Sequence, residues 1–181
     1  MRAFLGVRVS ESGCDAVRQW RARQSPGMRW VADDNLHMTV VFLGHITDDA
    51  VSVMDRAMAP IVAAQAVLSV RWQALDWFPS AAQPRVLAWL PAACPALLAW
   101  QQRVVRALQA AGMVADASAY RPHISLARVR QTCPVSWEAG ALVHTMAIEQ
   151  LVLFRSDSHP DGVRYTLLQS WRLAASPAVS R

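Results

Sequence analysis

Short apolar runs rich in β-branched residues alternate along the chain with longer stretches bounded by helix-capping and helix-breaking residues. The short runs predict strands, and the longer stretches predict helices. The predicted strands cover residues 2–9, 35–43, 67–75, 85–90, 124–129, 147–154 and 163–173. The predicted helices cover residues 12–24, 48–64 and 95–111. The resulting order is β-α-β-α-β-β-α-β-β-β, in one domain over residues 1–181.

The helix boundaries are marked by specific residues. Ser10 and Ser12 are candidate N-caps for the first helix. Pro95 suits the first turn of the third helix, and Gly112 follows its end. The turn-rich segment 78–84 and the sequence SDSHPDG at 156–162 predict connections between neighbouring strands.

Two predicted strands contain the same motif, a histidine with a small hydroxyl residue two places later. They are LHMTVVFLG at residues 36–44 and RPHISLARV at residues 121–129. Each follows a helix and a loop, and the two lie nearly half the chain apart. This repetition of the motif predicts two similar lobes, each of which supplies one such strand.

Side chains of a strand alternate between its two faces. His37, Thr39 and Val41 are therefore predicted to share one face, and Phe42 is predicted to point into the core with Met38. The second motif repeats the arrangement. His123 and Ser125 share a face, and the apolar residues between and after them face the core.

Two histidines and two hydroxyls suit displacement at phosphorus without a metal. One neutral histidine can accept a proton from the attacking oxygen, while a protonated one donates to the leaving oxygen. The hydroxyls of Thr39 and Ser125 can donate hydrogen bonds to the non-bridging phosphate oxygens. Arg128, five residues after His123, is a candidate to bind the same phosphate.

The remaining histidines do not have the spacing of metal ligands, so no metal is predicted. His45 is predicted at a strand end, His144 in an irregular segment and His159 in a turn. Tryptophan is abundant, with eight residues. Aromatic residues of the middle strands are candidates to stack on a nucleobase, although most are expected in the core. These candidates are Trp72, Trp77, Phe78 and Trp89.

Charge and composition narrow the classes of function. The net charge of +5 favours anionic partners. All eighteen basic residues are arginine, so the chain lacks the lysine needed for a P-loop, a Schiff base or a nucleotidylated ligase intermediate. Three cysteines, Cys14, Cys94 and Cys133, without zinc or redox spacing suit a reducing compartment.

No segment has the pattern of a signal peptide or a membrane span. The longest uncharged apolar stretch, residues 86–100, is too short for a span and contains Pro91 and Pro95. A cytoplasmic protein without a membrane partner is therefore expected.

Five segments together resemble the 2H phosphoesterase superfamily, in particular its bacterial RNA 2′,3′-cyclic phosphodiesterases, also called 2′-5′ RNA ligases. NLHMTVVFLG and YRPHISLAR resemble the two signature motifs, with Ser125 in place of the commoner threonine. The other three segments resemble the opening strand, the middle hairpin and the closing hairpin. They are MRAFLGVRV, LDWFPSAAQPRVLAWL and LVLFRSDSHPDGVRYTLL.

The resemblance implies a bilobal α+β fold with pseudo-two-fold symmetry, in which two antiparallel sheets face a central cleft and the helices lie outside. It also implies hydrolysis of RNA 2′,3′-cyclic phosphate ends to 2′-phosphomonoesters without a cofactor, and reversible 2′-5′ ligation by the same groups. In this scheme His37 is the proton donor and His123 the proton acceptor. The protein is expected to be a monomer.

Two alternatives stay open at the level of sequence. One keeps the fold and replaces RNA by a small cyclic nucleotide. The other is an RNA-end binding module that retains the motifs without turnover, although both intact histidine and hydroxyl pairs argue against it.

Overall fold

The computed structural model describes residues 1–24, 28–113, 120–128, 141–160 and 162–175. It contains three α-helices, α1 (Glu11–Arg21), α2 (Asp49–Ala63) and α3 (Pro95–Ala110), and a short 3₁₀ helix at Asp33–Asn35. The strands are β1 (Arg2–Arg8), β2 (Arg29–Trp30), β3 (His37–His45), β4 (Leu68–Ser80), β5 (Gln83–Pro91), β6 (Ile124–Arg128), β7 (His144–Ile148), β8 (Gln150–His159) and β9 (Gly162–Arg172).

The strands form two antiparallel halves that meet at the histidine motifs. The hydrogen-bonded order is β7-β4-β5-β6-β3-β1-β8-β9, and β2 pairs with β6. Within the described residues, β3 and β6 pair only at Met38 and Ile124. The predicted α+β class is confirmed. The Met38–Ile124 pair joins the two expected sheets, so that all strands belong to one hydrogen-bonded sheet.

Helices cover the outer faces of both halves. Helix α2 packs against α3 and β9, and α1 packs against β7. Their buried side chains lie in one continuous core, in which each large apolar side chain contributes roughly 1.5–3 kcal/mol on removal from water. These side chains include Val17 and Trp20 of α1, Met54, Met58 and Val62 of α2, and Leu97, Trp100, Val104 and Leu108 of α3.

Helix boundaries follow the local signals in the sequence closely. Ser10 caps α1, and its hydroxyl accepts a hydrogen bond of 3.1 Å from the backbone N–H of Gly13. Pro95 is the first residue of α3. Gly112 follows α3 with a φ of +75°, a backbone conformation that glycine adopts without strain.

The strand predictions are wrong in three places. Strands β2 and β7 were not expected, and His144 lies in β7 instead of an irregular segment. The middle hairpin is also longer than predicted, since β4 and β5 stay paired as far as Ser80 and Gln83. Near the turn, Pro79 lies opposite Pro84, directly after the ladder shifts register between Phe78 and Pro79. Val129 and Cys133 lie outside the described residues.

A search of the described helices for a membrane-crossing segment finds none of sufficient length and apolar character.

Candidate functional site

The single β3–β6 pair sets the relation between the two histidine motifs. Met38 lies opposite Ile124, and both side chains are buried. In an antiparallel pair the flanking residues face each other crosswise. Extended by one residue on each side, this register aligns His37 with Ser125 and Thr39 with His123, on the face away from the core. Among the described residues, the backbone pair itself forms only at Met38 and Ile124.

Both motifs also share one burial pattern over six residues. Residues 37–42 and 123–128 are each half-buried, buried, half-buried, buried, buried and exposed, in that order. Regular alternation cannot produce two buried neighbours followed by an exposed residue. Both strands must therefore change phase after the hydroxyl residue.

A β-bulge in each strand causes this change of phase. In β3, Thr39 is opposite Gly6 but Val41 is opposite Leu5, so Val40 is an extra residue. The residue five places after His37 is thereby turned to the histidine face.

The second motif has the equivalent irregularity. In β6, Ser125 is opposite Ala88 but Ala127 is opposite Leu87, so Leu126 is the extra residue. Arg128, five places after His123, is exposed and follows the two buried positions in the same way.

The prediction for Phe42 and Val41 is therefore wrong. Phe42 is 58% exposed, and Val41 is only 3% exposed and belongs to the core. Unbroken alternation along β3 would bury Phe42 and expose Val41, and the bulge at Val40 reverses this pattern. The same effect brings Arg128 to the side of the histidines, where its charge acts on His37.

His37 is held by a backbone carbonyl and by aromatic rings. Its Nδ1 lies 2.7 Å from the carbonyl oxygen of Asn35, which can only accept, so Nδ1 carries the hydrogen. The reactive position of the neutral ring is then Nε2. The rings of Phe4 and Tyr165 lie with their centroids 4.8 Å from the imidazole, Tyr165 edge-on.

Burial lowers the pKa of His37 from its ordinary value of 6.5, because the charged ring loses hydration. The hydrogen bond to the Asn35 carbonyl opposes this change. The positive charges of His123 and Arg128 add to the lowering of the pKa. Both groups therefore act electrostatically on His37 across the junction.

His123 has a comparable backbone anchor and a different aromatic neighbour. Its Nδ1 donates to the main-chain oxygen of Arg121 at 2.9 Å. The Phe78 ring stacks on the imidazole at 4.1 Å between centroids and 20° between planes. The Arg121 guanidinium lies 4.9 Å from the centroid of the same Phe78 ring, and it donates to the Pro79 carbonyl at 3.2 Å.

Burial is the largest cause that lowers the pKa of His123, and the hydrogen bond to the Arg121 carbonyl opposes it. The guanidinium charge of Arg121 lowers this pKa further. Neutral imidazole is therefore the favoured form at both motif histidines near pH 7.

Tyr120 connects the two motifs directly. Its hydroxyl donates to the backbone carbonyl of Thr39 at 3.1 Å, from the segment just before His123 to the other motif strand. Burial raises the pKa of this hydroxyl far above its ordinary value of 10, so it stays a donor. The bond supplements the single β3–β6 pair in holding the motifs together.

Most aromatic candidates of the middle strands belong to the core. Trp72 and Trp89 are buried, and Trp77 packs against the core. Phe78 alone of the four contacts a motif histidine in the described residues. Four residues near the motif histidines are not predicted from the sequence as part of the site. Tyr120 and Arg121 directly precede the second motif, and Phe4 and Tyr165 lie far from both motifs in the sequence.

The other histidines lie apart from the motif face. His45 is exposed at the end of β3, and His159 is the last residue of β8. His144 Nε2 lies 3.2 Å from the hydroxyl of Ser12. In the described ranges, no three histidine, cysteine or acidic side chains are grouped as metal ligands.

A cavity of about 1050 Å³ lies away from the motif face. It lies between the start of α1, the end of β1 and β7, with Arg8, Arg18 and Asp33 in its lining. No motif histidine or hydroxyl is among its described lining residues.

The chain is similar to a known protein family. A family model described as the 2′-5′ RNA ligase superfamily matches residues 9–157. A Bacillus subtilis protein named RNA 2′,3′-cyclic phosphodiesterase is 27% identical over 128 residues, which cover 69% of this chain and 69% of the relative.

Solved structures show the same fold. The Thermus thermophilus protein TT0787 has a TM-score of 0.82 and 22% identity, covering 98% of this chain and 100% of that one. Escherichia coli LigT, solved in complex with 3′-AMP, has a TM-score of 0.77 and 21% identity, covering 95% and 97% of the two chains.

Proposed function

The chain belongs to the 2′-5′ RNA ligase superfamily, and we propose that it hydrolyses RNA 2′,3′-cyclic phosphate ends to 2′-phosphomonoesters without a metal or cofactor. One observation carries this proposal. Met38 of the first motif pairs with Ile124 of the second, which brings the two histidine–hydroxyl strands side by side in antiparallel register. The curated relative named for this activity supports the choice of substrate.

In the proposed reaction, Nε2 of neutral His123 accepts a proton from water as the water oxygen attacks phosphorus. The bond from phosphorus to the 3′ oxygen breaks, and protonated His37 donates to that oxygen. The products are a 2′-phosphate and a 3′-hydroxyl. Proton exchange with solvent then restores both histidines.

The remaining polar groups stabilise charge on the phosphate. The hydroxyls of Thr39 and Ser125 donate to its non-bridging oxygens, where negative charge rests in the transition state. Arg128 adds a fixed positive charge on the same side. Bound phosphate also favours the protonated form of His37, because an adjacent anion raises the pKa that burial lowers.

The same groups would join a 2′,3′-cyclic end to the 5′-hydroxyl of a second RNA. His123 accepts the proton of the attacking 5′-hydroxyl, the bond from phosphorus to the 3′ oxygen breaks, and His37 donates to that oxygen. In the reverse direction His37 accepts the proton of the 3′-hydroxyl, and His123 donates to the departing 5′ oxygen. Joining of this kind requires no lysine adduct, in keeping with the absence of lysine from the chain.

The decisive test is turnover of an RNA oligomer that ends in a 2′,3′-cyclic phosphate, in excess EDTA, with the position of the product phosphate assigned. We expect a 2′-phosphate at an undiminished rate. A 3′-phosphate would contradict the assigned leaving group. Turnover of cyclic mononucleotides alone would favour the small-nucleotide alternative, and binding without turnover would favour the binding module.

The pH dependence follows from the two lowered pKa values. Activity requires neutral His123 and protonated His37. Therefore kcat/KM falls when the pH drops below the pKa of His123, and it also falls when the pH rises above the pKa of His37. Since both pKa values lie below the ordinary 6.5, we expect a bell-shaped kcat/KM profile with its maximum below pH 6.5. The apparent values belong to the coupled pair. A flat profile from pH 5 to 8 would contradict paired acid–base catalysis.

Arg121→Gln is expected to shift this profile. Loss of the guanidinium removes a positive charge that lowers the pKa of His123, so the acid limb should move to higher pH. The matched control, Arg56→Gln, removes an exposed arginine from α2 and should leave the limb in place. An unchanged limb with a raised KM would instead indicate that Arg121 binds substrate.

A further inference from the structure

Gln101 is a polar side chain in the core beneath the first motif strand. It lies on α3 and is 7% exposed, and the other buried side chains of that helix are apolar. Burial of an amide destabilises a fold unless the amide forms hydrogen bonds. The Nε2 of Gln101 donates to the backbone carbonyl of Val40 at 3.3 Å. Since Val40 is the extra residue of the β3 bulge, this buried amide binds the point at which the strand changes phase.

The neighbouring carbonyl of β3 also accepts a hydrogen bond from a side chain. The hydroxyl of Tyr120 donates to the backbone oxygen of Thr39 at 3.1 Å. Within the described residues, β3 and β6 form no backbone pair beyond Met38. Two consecutive carbonyls of the first motif strand are therefore held by side chains, one from α3 and one from the segment before the second motif.

The second motif strand shows how the equivalent bulge is held. Its extra residue is Leu126, and the backbone carbonyl of Leu126 accepts from the backbone N–H of Val31 at 2.9 Å. Val31 directly follows β2, which pairs with β6. Each bulge carbonyl thus has a donor from outside the two strands that form the bulge. In β6 this donor is the main chain, and in β3 the side chain of Gln101 takes its place.

The bulge controls the placement of Thr39 more directly than that of His37. Thr39 is the residue immediately before the bulge, and it lies opposite Gly6, whereas Val41 lies opposite Leu5. A change of register in a strand turns its side chains toward the other face. His37 has its own anchor in the Asn35 carbonyl. Relaxation of the bulge would therefore displace the Thr39 hydroxyl first.

We propose that Gln101 is a positioning residue, assisted by Tyr120, which fixes the β3 bulge and thereby sets the Thr39 hydroxyl against the reacting phosphate. The inference rests on the proposed function, because that function assigns the hydroxyl to a non-bridging phosphate oxygen. Gln101 itself is buried and does not touch the substrate. Displacement of a catalytic group by about 1 Å lowers a rate by up to about 10²-fold, so the effect of Gln101 belongs in kcat.

The test compares two buried glutamines. Gln101→Met keeps the length of the side chain and removes the donor to Val40. We expect kcat on an RNA 2′,3′-cyclic phosphate end to fall about 10- to 100-fold, with KM changed less than about threefold. Gln65→Met is the matched control, because Gln65 is 8% exposed and its Nε2 donates to the backbone carbonyl of Ala66, outside the motif strands. Both variants should lower Tm, and only Gln101→Met should lower kcat.

Double variants separate positioning from general support of the fold. If Gln101 acts through the Thr39 hydroxyl, Gln101→Met should lower kcat less than about twofold further in a Thr39→Val background. Tyr120→Phe removes a single oxygen and should behave in the same way, which keeps the test available if Gln101→Met does not fold. Additive losses would overturn the proposal. So would an unchanged kcat in the single variants, or equal losses in Gln101→Met and Gln65→Met.

A measurement without turnover distinguishes this inference from the proposed function. In backbone amide NMR spectra, Gln101→Met should shift the signals of Thr39, Val40 and Val41, and Gln65→Met should leave them in place. Unshifted signals in Gln101→Met would overturn the inference whether or not the wild type is active. If the wild type does not turn over, the proposed function fails, while selective shifts at the bulge still support Gln101 as the residue that fixes it.

Discussion

Replacement of His37 or His123 by alanine is expected to lower kcat/KM on an RNA 2′,3′-cyclic phosphate end by about 10²–10⁴-fold. The His37 variant loses the proton donor to the leaving oxygen, and the His123 variant loses the acceptor for the proton of water. The measurement is initial rate in EDTA at several substrate concentrations. Since each histidine ring packs against an aromatic neighbour, folding is verified for each variant by thermal unfolding.

His45→Ala is the matched control for these variants. His45 ends the same strand as His37 and is exposed, so its loss should change kcat/KM less than about twofold, within the range of neutral surface substitutions. The two motif variants combined should be little slower than either alone, because the two proton transfers belong to one transition state. A motif variant with wild-type activity would contradict the proposed mechanism.

Removal of either hydroxyl is expected to have the next largest effect. Thr39→Val preserves the branched shape that suits a strand, and Ser125→Ala removes one oxygen. Each should lower kcat by about 10- to 10³-fold if the hydroxyl stabilises charge on the phosphate in the transition state. The backbone carbonyl of Thr39, which accepts from Tyr120, is retained in the valine variant.

The distribution of the loss between kcat and KM checks this role. A hydroxyl that strengthens its hydrogen bond as charge develops lowers kcat with little change in KM. Thr166→Val removes an exposed hydroxyl on β9 and serves as the control. If KM alone rises in the Thr39 and Ser125 variants, the hydroxyls contribute equally to ground-state and transition-state binding, and the assigned role is wrong.

Local sequence signals were sufficient for the helices and for the two motif strands. Ser10, Pro95 and Gly112 mark helix ends through their own hydrogen-bonding and backbone preferences, which act within a few residues. The histidine–hydroxyl spacing places both side chains on one face over three residues, because alternation holds over that distance. The placement of each histidine and its hydroxyl on one face could therefore be predicted without the structure.

The bulges could not be predicted in the same way. Neither Val40 nor Leu126 differs in character from an ordinary strand residue, and the extra residue appears only against the partner strand. Consequently Phe42 was assigned to the core. The short strand β2 was missed for a related reason, since two residues form a strand only by pairing with β6.

The amino-acid sequence by itself determined the residue types of the site, their local spacing and the ends of the helices, because these depend on contacts within one or two turns or pleats. Tertiary structure decided which residues meet. The Met38–Ile124 pair brings the two motif strands together, and Phe78 and Tyr165 reach the histidines from other strands. Such long-range pairings depend on the packing of the whole sheet against its helices, and no short stretch of sequence encodes them.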